Sequence, residues 1–370
     1  MDGNFLFLAE KYPALEKMGT LAEGYLYADP NACLYKMGSM AETMVNYIFI
    51  IDKLKPPSGS NNTQANKVKL LYNKGLFSDE INNIFYALRV NRNVAVHEGY
   101  DSFEKCVSLI EMAHTLAVWF MQVYVDMEFD PEPFSMPEDI RGNENYKKVL
   151  LENEKLAASL EKAEAAILAH EEKRQIHLDE RKRRAENAAN RIKLSEREVR
   201  FIIEEHLRSA GWETDVMNLR YSRGTRPEKG RNIAIAEWPT DLAVCNWGYA
   251  DYALFVGLKL VGVVEVNADR RDVKSAIGNQ CREYSMGIKE EHLTYAAGDW
   301  DGLKAPFLFA VNGRAFIRQT EDGGLWFKDA RETANEAETI KGWLSPRKLS
   351  IMLKKSNTDK KPAGRTDAPE

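Results

Sequence analysis

The sequence predicts an α+β multidomain protein: an all-helical N-terminal part, a long charged helix, and a C-terminal domain of helices around a sheet. Three observations predict it. Over the first 130 or so residues, apolar side chains recur at helical spacing. From about residue 145 to 193 the composition turns to Ala, Glu, Lys, Arg and Leu, with neither Pro nor Gly. From residue 194 onward, helix-period segments alternate with strand-length apolar runs bounded by turn residues.

The bulk numbers set limits. A chain of 370 residues has room for two or three domains, and a hydrophobic share of 44% can fill real cores. The net charge of −5 excludes a polycation, so a nucleic-acid site here must be a local basic patch. The cysteines Cys33, Cys106, Cys245 and Cys281 form no CxxC pair, which argues against a zinc knuckle or a disulfide framework and for a reducing compartment. The start, MDGNFLFLAEKYP, lacks the basic and apolar regions of a signal peptide. No run reaches the ~18 apolar residues of a membrane span. A cytoplasmic protein is the expectation.

In the helical part, Met37, Met40, Ala41, Met44, Val45 and Ile48 form one apolar face. KPPSGSNN (55–62) interrupts it. Val68, Leu71, Leu76, Ile81, Ile84, Phe85 and Leu88 resume it, and Phe103–Met127 carries Val107, Ile110, Ala113, Ala117 and Phe120 along one side. The Pro-rich stretch 130–139 ends the domain at about residue 135. In segment 136–193, Leu156, Leu160, Ala163 and Ile167 fit a short a/d seam. The basic half, KRQIHLDERKRRAENAANRIK, reads as a solvated helix face.

Residues 194–346 form the third segment. Ser195 and Glu198 make a capping box, Val199, Ile202, Ile203 and Leu207 a buried stripe, and Gly211 a stop. A basic loop follows with Arg220, Arg223, Arg226, Lys229 and Arg231. Strands are expected at Ile233–Ala236, Tyr252–Val256 and Leu260–Val266, with a helix from about Asp272 to Met286. A hairpin is expected between Phe307–Val311 and Ala315–Gln319 around Asn312-Gly313, then a short strand Leu325–Phe327. By composition, 347–370 is a basic disordered tail.

The chemistry sits in the run from Gly248 to Asn267. Two apolar strands flank a turn at Gly257-Leu258, which places Asp251 across from a position within one residue of Glu265. Glu265 and Asn267 project on one side. Two carboxylates at one sheet edge make a hard-oxygen site suited to Mg²⁺, and such an ion can activate water on a phosphodiester.

This arrangement resembles the PD-(D/E)xK nuclease core. The words LSEREVRFIIEEHLRSAGW, LRYSRGTRPEKGRNIAIAEWPT and ADYALFVGLKLVGVVEV resemble the restriction subunit of type I restriction–modification enzymes, host-defence systems that cut DNA. Gln280 and Tyr284 match the Q-xxx-Y element of the RecB-like branch, and NGR (312–314), GLWFKDARET and GWLSP extend the likeness. The resemblance implies an endonuclease module with Asp251 and Glu265 as Mg²⁺ ligands. It makes Glu204 a further helix-borne acid, Gln280 and Tyr284 supports of the site, and the loop from Arg220 to Arg231 a holder of backbone phosphate. It implies double-stranded DNA as substrate, and the methyltransferase and specificity subunits as partners. The chain departs from the family at Asn267, where the pattern ends in Lys; Asn hydrogen-bonds but carries no charge. Lys259 lies too far along its strand to substitute, which leaves Lys274, Arg270 or Arg271. No G-x-x-x-x-G-K-[ST] loop is present, so the chain carries no Walker-type ATP site.

In the helical part, Arg92 and His97 fit the Arg-x4–6-His spacing of HEPN ribonucleases, and the region resembles the HEPN-like domain at the front of some restriction subunits. A structural helix-end cluster explains the same residues. A Mg²⁺-dependent endonuclease module, a HEPN-type ribonuclease and a non-catalytic module that binds DNA or a partner are therefore the three readings of the sequence.

Overall fold

The computed structural model describes residues 3–98, 103–139, 141, 146–170, 178–192, 194–216, 218–266, 273–312 and 324–355. The chain divides into two compact units, Met1–Glu198 and Val199–Glu370. The first is helical and the second is built on a mixed sheet, which is the α+β organisation expected.

The first unit contains α1 (Pro13–Tyr25), α2 (Pro30–Ile51), α3 (Gln64–Asn73), α4 (Asp79–Glu98), α5 (Phe103–Tyr124), α6 (Tyr146–His170) and α7 (Leu178–Arg191). Pro13 and Pro30 start their helices at positions where no N–H is needed, and Asp29 caps α2 by accepting from the Ala32 N–H at 3.0 Å. The expected face of α2, from Met37 to Ile48, is buried. Helix α5 is long and apolar enough to cross a membrane by composition, but 83% of its most apolar stretch is buried inside the unit, as befits a core helix.

α2 and α4 approach closely at Gly38, where an added Cβ would lie 2.4 Å from the Arg92 Cβ. That contact involves the stem of Arg92 and cannot be relieved by swinging its tip. Gly38→Val is therefore expected to destabilise by about 1–3 kcal/mol through overpacking, outweighing the roughly 1 kcal/mol that leaving glycine returns to a helix interior. Urea denaturation checks this; a neutral Gly38→Val would contradict the close approach.

Residues 146–191 pack within the first unit, though the sequence reading sets them apart. α6 lies against α1 and α2, and α7 against α5. The face of α6 that docks carries buried Leu150 and Ala157 together with three acids. Glu154 accepts from Tyr25, Glu161 from Thr43, and buried Glu164 from both the Tyr47 hydroxyl and the Ala14 N–H. The expected seam turns outward, with Leu156 43% and Ile167 58% exposed. The basic second half is likewise not a wholly solvated face. Arg181, Ala185, Ala188 and Ala189 of α7 are buried, whereas Arg183 and Arg184 pair with Glu180 on the outer side.

The second unit is led by α8 (Glu196–Ser209), followed by β1 (Glu213–Thr214), β2 (Asn232–Pro239), β3 (Tyr249–Val256) and β4 (Lys259–Val266). Next come α9 (Val273–Ala276), a π-helical turn Ile277–Cys281 and α10 (Arg282–Met286), then β5 (Phe307–Val311), β6 (Leu325–Asp329), β7 (Glu338–Thr339) and α11 (Pro346–Lys355). The strands form one seven-stranded sheet in chain order, parallel at β1–β2 and β4–β5 and antiparallel elsewhere. One face carries Ile235, Ala253, Phe255, Val263 and Ala310 against Val273, Ile277, Cys281 and Tyr284. Tyr252, Leu254, Val264 and Phe309, of the opposite parity, are also buried, so both faces are covered.

The capping box forms as read: Glu198 accepts from the Ser195 N–H at 2.7 Å, and Ser195 Oγ accepts from the Glu198 N–H at 3.3 Å. Val199, Ile202, Ile203 and Leu207 are buried, and Gly211 ends the turn at φ +95°. The β3–β4 turn is the expected Gly257-Leu258, with Gly257 at φ +59° and Val256 paired to Lys259. Two expectations need correction. β5 takes β6 as its antiparallel partner and β4 on its other edge; the expected partner 315–319 lies outside the described residues. The stretch read as tail begins with helix α11, because its Lys-rich composition masks an amphipathic pattern that buries Leu349.

Candidate active site

α8, β3, β4 and α10 build the site. The β3–β4 register pairs Tyr252 with Val264, so Asp251 and Glu265 fall one step further on, across from each other. Both share parity with Ala253 and Val263 on the face that holds Tyr284. Both are buried, at 6% and 8% exposure.

Each carboxylate has fixed partners. Asp251 Oδ2 accepts from the Val266 N–H at 2.7 Å, and Oδ1 from Arg200 Nη2 of α8 at 2.5 Å. Tyr284 donates to Glu265 Oε2 at 2.6 Å. The π turn just before Tyr284 adds a residue to the helix, a device common where a helix must aim a functional side chain.

Burial, and then the neighbouring Asp251, push the Glu265 carboxyl up to about 8, against the opposing pull of Tyr284 and Arg200. The Tyr284 hydroxyl is raised by the same burial and by Glu265. In the metal-free protein this has a definite sign. With the folded value raised above the ordinary 4.5, Glu265 contributes stability below about pH 4.5 that is lost as pH rises through about 8. Glu265→Gln, which mimics the protonated acid, is expected to leave stability unchanged below about pH 4.5 and to raise it progressively from there to about pH 8, by up to a few kcal/mol. Thermal melts across pH check this; equal melting points at alkaline pH would refute it.

Two adjacent buried carboxylates, one of them raised by burial and by the other, fit a divalent ion, since Mg²⁺ is commonly held by one or two carboxylates with water and substrate phosphate completing its shell. Among the described residues no cluster of three or more His, Cys, Asp or Glu side chains forms a larger metal set.

The other sequence candidates disperse. Glu204 is buried on α8 but lies against the Tyr252 hydroxyl and Thr214 Oγ1, each at 3.5 Å, and against Arg208. Strand alternation explains this: Tyr252 faces the side opposite Asp251. Gln280 is half-buried in the π turn. Lys274 is exposed, its ammonium 5.6 Å from the centre of the Trp326 ring. Asn267, Arg270 and Arg271 lie outside the described residues.

In the basic loop, Arg220 pairs with Glu237, and Arg231 with Glu213 and Glu228. Arg226 stacks on Tyr221 at 3.7 Å. Arg223 and Lys229 remain exposed. The sequence reading missed Arg200; its only signal was helical spacing, four residues before Glu204 on a capped helix. It also missed Glu237, a non-glycine at φ +53° on β2 across from Asp251, a strained backbone beside the acidic pair.

In the helical unit, Arg92 forms an ion pair with Glu42 and lies 5.2 Å from the Tyr35 ring centre. With Arg89, Gln64 and Asn93 it lines a cavity of about 410 Å³. The side chain of His97 lies outside the described residues.

Two family models match. One, described as the type I restriction enzyme EcoKI endonuclease subunit second domain, covers residues 213–353, which include the acidic pair. The other, a domain of unknown function (DUF4145), covers residues 20–162. The type I restriction enzyme EcoKI endonuclease subunit of Escherichia coli (strain K12) is 28% identical over 424 aligned residues, covering 95% of this chain and 36% of that protein. The chain resembles the N-terminal part of a type I restriction endonuclease subunit. It spans about a third of the length of the curated relative it matches. No solved structure matches. The second-domain model places the β2–β3–β4 sheet, and with it Asp251 and Glu265, inside the part shared with the restriction subunit.

Proposed function

We propose that the second unit is the DNA-cleaving module of a type I restriction system, a PD-(D/E)xK-type nuclease acting on double-stranded DNA. The observation that carries this reading is the buried Asp251–Glu265 pair in a segment similar to a restriction endonuclease subunit. Asp251, oriented by Arg200 and the Val266 N–H, and Glu265, oriented by Tyr284, are the residues that would hold Mg²⁺. When bound, that ion supplies charge neutralisation at the phosphodiester and a more acidic water. The chain's own contribution is orientation: Tyr284 fixes the Glu265 carboxyl, and Arg200 fixes that of Asp251. Position 267, where the family has Lys, supplies a hydrogen-bonding group without charge, so cleavage by this chain is slow or absent.

The same reading makes the helical unit HEPN-like, places the protein in the cytoplasm, and gives it the methyltransferase and specificity subunits as partners. The ribonuclease alternative loses support, since Arg92 is already engaged with Glu42 and Tyr35. Plasmid nicking in Mg²⁺ or Mn²⁺ tests the proposal: any cleavage must vanish with Asp251→Ala. Cleavage that persists without a divalent ion, or with Asp251→Ala, would refute it.

A further inference from the structure

The loop between β2 and β3 is pinned to the helix that carries Tyr284. The Asp241 N–H donates to the Gly287 carbonyl, just past α10, at 2.7 Å, and the Asn246 N–H donates to Glu283 of α10 at 3.1 Å. Within the loop, the Asp241 carbonyl accepts from the Val244 and Cys245 N–H groups, and Cys245 is buried in the core of the unit. With its backbone held in this way, the loop leaves large apolar side chains on the outside. They are Leu242, Val244, Trp247 (46% exposed) and, at the start of β3, Tyr249 (48% exposed). Single exposed apolar residues are ordinary, but a cluster of them on a held segment marks a binding surface.

The position of the cluster selects its occupant. Tyr249 precedes Asp251 by two residues on β3, so the two side chains share a face of the sheet roughly 7 Å apart. A stable protein partner covers about 800 Å² on each side, and one seated on Tyr249 would cover the acidic pair as well. A substrate strand that reaches the pair, by contrast, passes directly beside the ring. Residues 240–250 carry a single charged side chain, Asp241, so the loop offers no cation to a phosphate. What it offers is two aromatic rings, which match a nucleobase. The faces of bases inside a closed duplex are already covered by their neighbours, so the match is to an unpaired base.

We propose that Trp247 and Tyr249 stack on unpaired nucleobases of the DNA strand that enters the Asp251–Glu265 pair, so that the module favours locally opened DNA over a closed duplex. The inference rests on the nuclease reading for the presence of that strand, but its test reads binding and not cleavage.

The measurement is the affinity of the full chain, in Ca²⁺, for two DNAs of equal length: a closed duplex, and one with a short central bubble whose unpaired strand carries a fluorescent adenine analogue. The wild-type chain is expected to bind the bubble roughly tenfold more tightly than the duplex and to quench the analogue by stacking. The double variant Trp247→Ala with Tyr249→Ala should bind both DNAs alike and leave the analogue bright. Its salt dependence should match that of the wild type, because no phosphate contact has been removed. Trp247→Phe, which keeps a ring, should keep the preference. Equal wild-type affinity for the two DNAs, no binding to either, or a preference that survives in the double variant overturns the proposal. If the preference survives while self-association in sedimentation is lost, the surface belongs to a second copy of the chain. Nicking by Asp251→Ala, run beside these, keeps the two ideas apart: if metal-dependent nicking persists there, the nuclease reading fails, while affinity and quenching still decide the stacking.

Discussion

Replacing Asn267 with Lys is expected to raise the metal-dependent nicking rate by about 10²-fold. The acidic pair is already formed and oriented: Asp251 is held by Arg200 and the Val266 N–H, and Glu265 by Tyr284. What the chain lacks, relative to the family pattern, is a lysine two residues after Glu265. A lysine there would stabilise the charge that develops at phosphorus, so its effect should fall on kcat. In the Asn267→Lys background, Asp251→Ala should return the rate to zero. A wild-type chain that already cuts as fast as Asn267→Lys would show that position 267 carries no missing function.

Arg181→Ala is expected to destabilise the first unit by about 3–5 kcal/mol. Arg181 and Asp52 are each only 5% exposed and meet at 3.0 Å. The guanidinium also donates to the Val123 carbonyl and lies 4.2 Å from the Tyr124 ring centre, while the Tyr124 hydroxyl donates to Asp52. Burial already raises the Asp52 carboxyl, and Arg181 and Tyr124 pull it back. Removing Arg181 therefore leaves a buried acid short of its main partner. The paired change Asp52→Leu with Arg181→Met should cost far less, because no buried charge is then left uncompensated. Denaturant unfolding of the two variants checks this; a loss under ~1 kcal/mol in Arg181→Ala would mean that α7 does not dock through this pair.

Much of the second unit is legible in the sequence because its signals are local. The Ser195–Glu198 box, the Gly257-Leu258 turn and strand alternation together suffice to bring Asp251 opposite Glu265. Tyr284 reaches Glu265 at the spacing read. What was not legible depends on which face meets which. Glu204 looked like a third acid, but alternation turns Tyr252, and not Asp251, toward it. Arg200 was invisible because nothing local marks an arginine that crosses from α8 to β3. In the first unit the docked face of α6 joins buried Leu150 and Ala157 to Glu154, Glu161 and Glu164, whose partners Tyr25, Thr43 and Tyr47 are distant in sequence. The apolar seam that a periodicity argument selects is left on the outside. Buried acids met by tyrosine and backbone donors have no signature in a hydropathy pattern.

Asp251 and Glu265 are expected to form a divalent-metal site. Calorimetric titration of the full chain with Mn²⁺, in the presence of a short duplex, tests it most directly. One ion per chain is expected, with binding abolished by Asp251→Ala and by Glu265→Ala and preserved in Asn267→Lys. A wild-type chain that takes up no ion, or one whose uptake survives both alanine substitutions, would contradict it.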